Sequence, residues 1–238
     1  IPILLDLHTE AVESMAKDLE KRHRTAAAGF AVDITQESEV ERNCAALLQR
    51  FGHIDGLVNN AANNPKMEGG GSKNFSRLEN FQLAVWDADI AVGLTGAFLC
   101  AKHYGEAISR QGGSIVNISS DLGIIAPDQR LYRKPGLPDN QQPVKPVTYS
   151  VVKSGLIGLT RYLATYWAEH GVRCNALCPG GVENNQDPTF LKEVYARIPM
   201  GRLARANEYQ GALLFLLSEA SSYMNGAILS LDGGRTTW

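Results

Sequence analysis

Short apolar runs alternate along this chain with longer stretches in which apolar residues return every three or four positions. Ile1 to Leu5 is the first run, closed by Asp6, and Val12, Met15, Ala16 and Leu19 then recur at helical spacing. Ala28 to Val32 repeats the pattern, closed by Asp33 and followed by a stripe of Val40, Cys44, Leu47, Leu48 and Phe51 that stops at Gly52. Ile54 to Val58 runs into Asn59-Asn60-Ala61-Ala62, and a polar stretch around Gly69-Gly70-Gly71 leads to a long helical segment, Gln82 to Arg110. Ser114 to Ile118 is the fourth predicted strand and ends in Ser119-Ser120. Beyond a long loop, a helix is expected from Tyr149 to His170 with Gly171 as its stop, then a strand from Val172 to Leu177 before Cys178-Pro179-Gly180-Gly181. Helices near Thr189 to Ile198 and Glu208 to Leu217 precede a last strand, Ala227 to Leu231.

Strands that alternate with helices of this length imply right-handed crossovers, hence an α/β fold with a doubly wound, mainly parallel sheet covered by helices on both faces. We expect one domain over residues 1–238. In such sheets ligands bind beyond the carboxyl ends of the strands, where Asp6, Asp33, Asn59, Ser120 and Pro179 all fall.

Composition narrows the possible business of that edge. With 238 residues, 44% of them hydrophobic, there is material for a large core, and a net charge of −2 with interspersed signs provides no footprint for nucleic acid or an anionic membrane. A small-molecule substrate is the expectation. Cys44, Cys100, Cys174 and Cys178 form no CxxC pair and no cluster with histidine, so they read as reduced and non-ligating, with no metal site. The longest uninterrupted apolar run, Ala212 to Leu217, is far shorter than a membrane span, and nothing resembles a signal peptide, which together point to the cytoplasm.

Tyr149 and Lys153 supply the candidate chemistry. One helical turn apart, they share a helix face. A tyrosine with its usual pKa near 10 is a weak base at neutral pH, and a fixed ammonium beside it is a natural means of lowering that value.

Taken in order, Asp6, Asp33, Asn59-Asn60-Ala61, Ile118-Ser119-Ser120, Tyr149 with Lys153, Pro179-Gly180 and Asp232-Gly233-Gly234 resemble the marks of the short-chain dehydrogenase/reductase family over nearly the whole chain. The resemblance implies a Rossmann-like fold and transfer of hydride between a nicotinamide dinucleotide and a hydroxyl or carbonyl group. It casts Tyr149 as acid/base, Lys153 as the residue that lowers its pKa and binds the ribose, and Ser120 as the group that orients the reacting oxygen. Ser119 is the rival to Ser120, because alternation along a strand lets only one face the cleft. Asp6 would accept both adenosine ribose hydroxyls, which favours NAD over NADP because a 2′-phosphate would meet a negative charge; a basic residue upstream would leave NADP open. Asp33 and the Ile34 backbone would meet the adenine, Asn59 and Ala61 would shape the cofactor turn, and Pro179, Gly180 and Val182 would line the nicotinamide, with Asn184 in a place where threonine is usual. Homo-oligomers, dimer or tetramer, are implied as well.

The chain departs from the family pattern in three places. It lacks the first strand and the glycine-rich turn that brings backbone N–H groups to the pyrophosphate, and with them the central strand of its sheet; since Ile1 is not a methionine either, we expect a piece of a longer chain. Gly93 stands where an asparagine usually holds a relay water, so another group or a second water must complete the proton path. Ala62 stands where glycine is usual.

The segment 121–148 is about twice as long as the resemblance leads one to expect, and loops of that length are commonly functional. It carries Arg130-Leu131-Tyr132-Arg133-Lys134, a basic, aromatic cluster suited to a phosphate, carboxylate or base. The insertion looks like that of oxidoreductases of flagellin modification and nonulosonic-acid pathways, which implies a phosphorylated or nucleotide-linked sugar. The competing reading is a non-catalytic nucleotide-binding or regulatory protein on the same fold; an epimerase or dehydratase that recycles NAD would use the same residues.

Overall fold

The computed structural model describes residues 1–63 and 76–238; the Gly69-Gly70-Gly71 stretch lies outside the described residues. In order, the main elements are β1 (Ile3–Asp6), α1 (Thr9–His23), β2 (Ala28–Ala31), α2 (Glu37–Phe51), β3 (Gly56–Asn59), α3 (Leu83–Ser109), β4 (Gly113–Ile118), α4 (Val147–Tyr166), β5 (Val172–Pro179), α5 (Pro188–Tyr195), α6 (Gln210–Leu217) and β6 (Ile228–Leu231). The expected alternation is therefore present, with ends shifted by a few residues. The largest useful shift is in α4, which starts at Val147 because Pro146 occupies its N-cap in extended geometry; Tyr149 thus sits in the first turn, where the helix dipole favours negative charge.

All strand pairs are parallel, and they form two sheets, β1-β2 and β3-β4-β5-β6. Among the described residues no pairing joins β1 to β3, so the break falls mid-sheet, where the sequence was expected to lack a strand. A shared helix layer spans the break: Ile3, Leu5, Phe30 and Leu57 from both sheets pack on Val40, Cys44 and Leu47 of α2 and Leu99, Cys100 and Tyr104 of α3.

Alternation along the strands distributes the helices to the two faces. In β4, Ile115 packs against α3 and α4 through Ile108, Leu163 and Trp167, while its neighbour Val116 faces Leu216 of α6. Both are fully buried, and each such side chain contributes about 1.5–3 kcal/mol of transfer free energy. On the smaller sheet, Gly29 faces α1; a Cβ there would lie 2.6 Å from the Val12 carbonyl carbon, so only glycine permits this approach.

α3 is long and apolar enough, by length and composition, to cross a membrane. Here it is a core helix, with Leu99, Cys100, Tyr104, Ala107 and Ile108 buried against the sheet and its neighbours. Two wide turns interrupt it, at Ala91–Thr95 and Ala101–Gly105. Such π-turns concentrate at functional sites, and the first contains Gly93.

The inserted segment is folded onto the body. Leu131 is buried with Val194, Ile198 and Leu203, and Tyr132 lies 6.0 Å from Phe190 of α5, ring centre to ring centre. The Gln142 amide accepts from Lys134 N at 2.8 Å and donates to the Leu137 and Lys134 carbonyls at 2.7 and 3.1 Å, which staples the loop to itself.

Candidate active site

Because the strands within each sheet run parallel, each sheet has one carboxyl edge; Asp6 and Asp33 follow β1 and β2, and Asn59, Ser120 and Pro179 end or follow β3, β4 and β5, with the first turns of α4 against the end of β4. Ser119 and Ser120 separate as alternation requires. Ser119 Oγ is buried and donates to the Lys153 carbonyl at 2.7 Å. Ser120 Oγ instead lies 3.4 Å from Tyr149 Oη, which donates to it. Lys153, almost wholly buried, donates from Nζ to the Ile118 carbonyl at 2.7 Å and stands 6.0 Å from the Tyr149 ring centre. The end of β4 and the first turn of α4 therefore assemble a hydroxyl, a phenol and an ammonium.

The electrostatics differ from the expectation that Lys153 would lower the Tyr149 pKa. Burial pushes the phenol above its ordinary value; the Ser120 hydrogen bond opposes this, the Asp121 charge adds to it and the Arg235 charge opposes it. Desolvation wins because the ring is packed under the inserted segment, with Lys145 Nζ 3.7 Å over its face, a cation–π contact. Lys153 itself is pushed down to about 8, chiefly by burial, with Cys178 raising and Lys145 lowering it further. Burial likewise lowers Lys145.

Beside Tyr149 is a cavity of about 20 Å³ bordered by Asp89, Gly93, Lys145, Thr148 and Lys153. That is room for about one water with several polar partners. Gly93 is closed to the family's asparagine: a Cβ would lie 2.5 Å from Val152 Cγ1. The buried carboxylate on this cavity is Asp89, one turn earlier in α3, which accepts from Thr148 Oγ1 at 2.5 Å.

The remaining predicted residues lie at the carboxyl ends of strands or in the loops that follow them. Asp6 is exposed at the end of β1, with Oδ1 accepting from His8 N at 3.1 Å. Asp33 Oδ1 takes Thr35 N and Oγ1 at 2.9 and 2.7 Å and so caps its own loop, while Ile34 packs against Gly96 of α3. Asn59 donates to Asn117 Oδ1 at 2.8 Å and to the Ala97 carbonyl at 3.4 Å, which fixes the turn leading to exposed Ala61. Pro179 closes β5; the Gly180 carbonyl accepts from Tyr209 Oη at 2.9 Å, and the Val182 carbonyl from Gln186 Nε2 at 2.7 Å. Asn184 is exposed.

This donor set fits a dinucleotide. Asp6 retains acceptor capacity for hydroxyls, and Lys153 retains two of its three donors.

Comparison with known proteins agrees. A family profile described as short chain dehydrogenase matches residues 2–132, and one described as enoyl-(acyl carrier protein) reductase matches residues 140–236. The chain belongs to the short-chain dehydrogenase/reductase family. Among its relatives in that family is D-threitol dehydrogenase of Mycolicibacterium smegmatis, 32% identical over 98% of this chain and 82% of the relative. Cis-4-hydroxycyclohexanecarboxylate dehydrogenase of Sinomonas cyclohexanicum is 36% identical over 86% of this chain and 74% of the relative. The structure of gluconate 5-dehydrogenase from Burkholderia cenocepacia J2315, in complex with NADP and tartrate, superposes with a TM-score of 0.82 at 27% identity, over 99% of this chain and 85% of that one. The chain is thus a short-chain dehydrogenase/reductase with relatives that are dehydrogenases of sugar-like and hydroxy-acid compounds.

Within this short-chain dehydrogenase/reductase, the expected basic cluster does not form an open anion site. Arg130 is 76% exposed and pairs with Asp128 at 2.8 Å, and Arg133 pairs with Asp139 at 3.7 Å. Arg197 also holds Asp128, at 2.6 Å, so that the two guanidinium groups keep this carboxyl well below the usual range. The cation that the segment does send to the site is Lys145, which among the described residues has no carboxylate partner. Its place over Tyr149 follows from the fold of the insertion. Reasoning from sequence missed Asp89, Asp121 and Arg235. Asp121, directly after Ser120, carried a local signal, whereas Arg235 pairs with it across 114 positions and carried none.

Proposed function

We propose that this protein is an NAD(H)-dependent oxidoreductase acting on a hydroxyl or carbonyl of a polar, sugar-like substrate that carries an anionic group, a phosphate or a carboxylate. The observation that carries the proposal is the contact of Tyr149 Oη with Ser120 Oγ at 3.4 Å, with Lys153 one turn further on, at the carboxyl edge of a parallel sheet. When bound, the nicotinamide accepts or donates the hydride. Ser120 and Tyr149 hold the reacting oxygen, and Tyr149 exchanges its proton, aided by its place in the first turn of α4. Lys153 binds ribose hydroxyls and passes protons toward the cavity by Asp89.

Asp6 supports NAD, although the gluconate 5-dehydrogenase relative was solved with NADP. Lys145 supports an anionic substrate group, in keeping with relatives named for a carboxylate and for gluconate. The finer likeness to flagellin-modification and nonulosonic-acid oxidoreductases rests on the insertion at 121–148 and belongs to this proposal, as do a single catalytic domain, a cytoplasmic location and a homo-oligomer. Exposed Phe98 on α3 and the stacked Tyr162 and Tyr166 on α4, 5.5 Å apart, support an oligomeric face.

The test is nicotinamide absorbance with NAD or NADP against polyols, hydroxy acids and phosphorylated or nucleotide-linked sugars. Turnover of an anionic sugar that drops on Lys145→Met, chiefly through KM, is expected. Turnover confined to uncharged alcohols and indifferent to Lys145 would overturn the substrate reading.

A further inference from the structure

The Ser120 hydroxyl is not free to donate toward Tyr149. Its Oγ lies 2.7 Å from Asp121 Oδ1, and an ionised carboxylate only accepts, so the single Ser120 proton points to Asp121. On its other side the same oxygen accepts from Leu122 N at 3.1 Å and from Tyr149 Oη at 3.4 Å.

Asp121 is held in turn. Its Oδ1 also takes Leu122 N at 2.8 Å, and its Oδ2 takes Arg235 Nη1 at 2.8 Å. Carboxylate and guanidinium side chains are 4% and 11% exposed, so this is a buried ion pair. Arg235 follows a turn shaped for the purpose: Asp232 accepts from Gly234 N and Thr236 N at 2.9 and 2.8 Å, and Gly234 has φ 89°.

We propose that Asp121, anchored by Arg235, is a positioning residue that fixes the Ser120 proton, so that Ser120 meets the neutral Tyr149 phenol as an acceptor and withholds its proton from the phenolate. This rests on the oxidoreductase reading. Tyr149 as a phenol has a proton to give such an acceptor; a phenolate would face it lone pair to lone pair. The device therefore favours the protonated phenol over the phenolate.

Asp121→Asn reverses the arrangement. The guanidinium requires an acceptor, so the amide oxygen turns to Arg235 and the amide nitrogen to Ser120, whose proton is then free to point at Tyr149. A phenolate that receives this hydrogen bond is stabilised. The groups that face Tyr149 are Ser120 and Asp121 beyond β4, Lys145 and Tyr132 of the insertion, Lys153 on α4, Asp89 on α3 and Arg235.

The experiment is a tyrosine-labelled NMR titration of the full chain, with the Tyr149 signal assigned by its loss in Tyr149→Phe. Asp121→Asn is expected to raise the Tyr149 acid dissociation constant about tenfold, and most of that change to vanish when Ser120→Ala is present in both backgrounds. An equal change with and without Ser120 would mean that Asp121 acts by charge alone, and no change would mean that it does not act on Tyr149; either overturns the proposal. Arg235→Lys should keep the wild-type value, which separates loss of the anchor's charge from loss of its shape. The titration needs no turnover, and failure of the oxidoreductase reading shows separately, as absence of turnover in wild type.

Discussion

Replacing Arg235 by methionine removes the cation from a buried pair and leaves the Asp121 charge behind. The pair is 2.8 Å apart, with side chains 11% and 4% exposed, and breaking such a pair from one side costs about 3–5 kcal/mol. Asp121 keeps two hydrogen bonds, from Ser120 Oγ at 2.7 Å and Leu122 N at 2.8 Å, which offset part of the loss and place the expected cost near the low end, about 3 kcal/mol. For a chain of this size that is a fall in Tm of about 6–12 °C. Urea unfolding followed by circular dichroism measures it. The companion variant, Arg235→Met with Asp121→Leu, removes both charges and should recover most of the stability, because an apolar pair of similar volume is often neutral or better. A single variant within about 1 kcal/mol of wild type, or a double variant as unstable as the single, would refute the claim that a desolvated carboxylate is held there.

Gly93→Asn should destabilise by about 1–3 kcal/mol through its contact with Val152, and Val152→Ala should relieve it in the same unfolding assay. Lys153→Met should stabilise at pH 7 by up to about 3 kcal/mol while abolishing turnover: burial lowers the folded pKa to about 8 against roughly 10.4 unfolded, so the cost of charging Lys153 is full below about 8 and fades as pH rises to about 10.4. A wild-type stability curve with no rise across that window would count against a buried ammonium. Asp6→Ser should move the ratio of kcat/KM for NAD over NADP toward NADP by about tenfold or more, since a 2′-phosphate would no longer meet a charge; an unchanged ratio would remove Asp6 from the cofactor site.

Much of the architecture was legible because periodicity and punctuation agree: α2 ends where Gly52 takes φ 83°, and Ile115 and Val116 had to face opposite layers. The Ser120, Tyr149 and Lys153 grouping was legible because Ser120 follows the end of β4 and Tyr149 and Lys153 share one face at the start of α4. Tertiary burial was not. It raised Tyr149 where a neighbouring lysine was expected to lower it and packed Lys145 over the Tyr149 ring, while exposed Arg130 and Arg133 pair locally with their own loop's carboxylates. The start of α4 was displaced by Pro146, whose extended backbone caps the helix two residues before the tyrosine's own turn begins to read as apolar.

The most direct test of the account is Tyr149→Phe, which removes one oxygen and little volume. Hydride transfer with NAD should fall by a factor of about 100 or more, while NADH binding, read by its fluorescence, stays within about threefold of wild type. Turnover close to wild type in this variant would contradict the central claim that the phenol at the start of α4 is the proton-exchanging group.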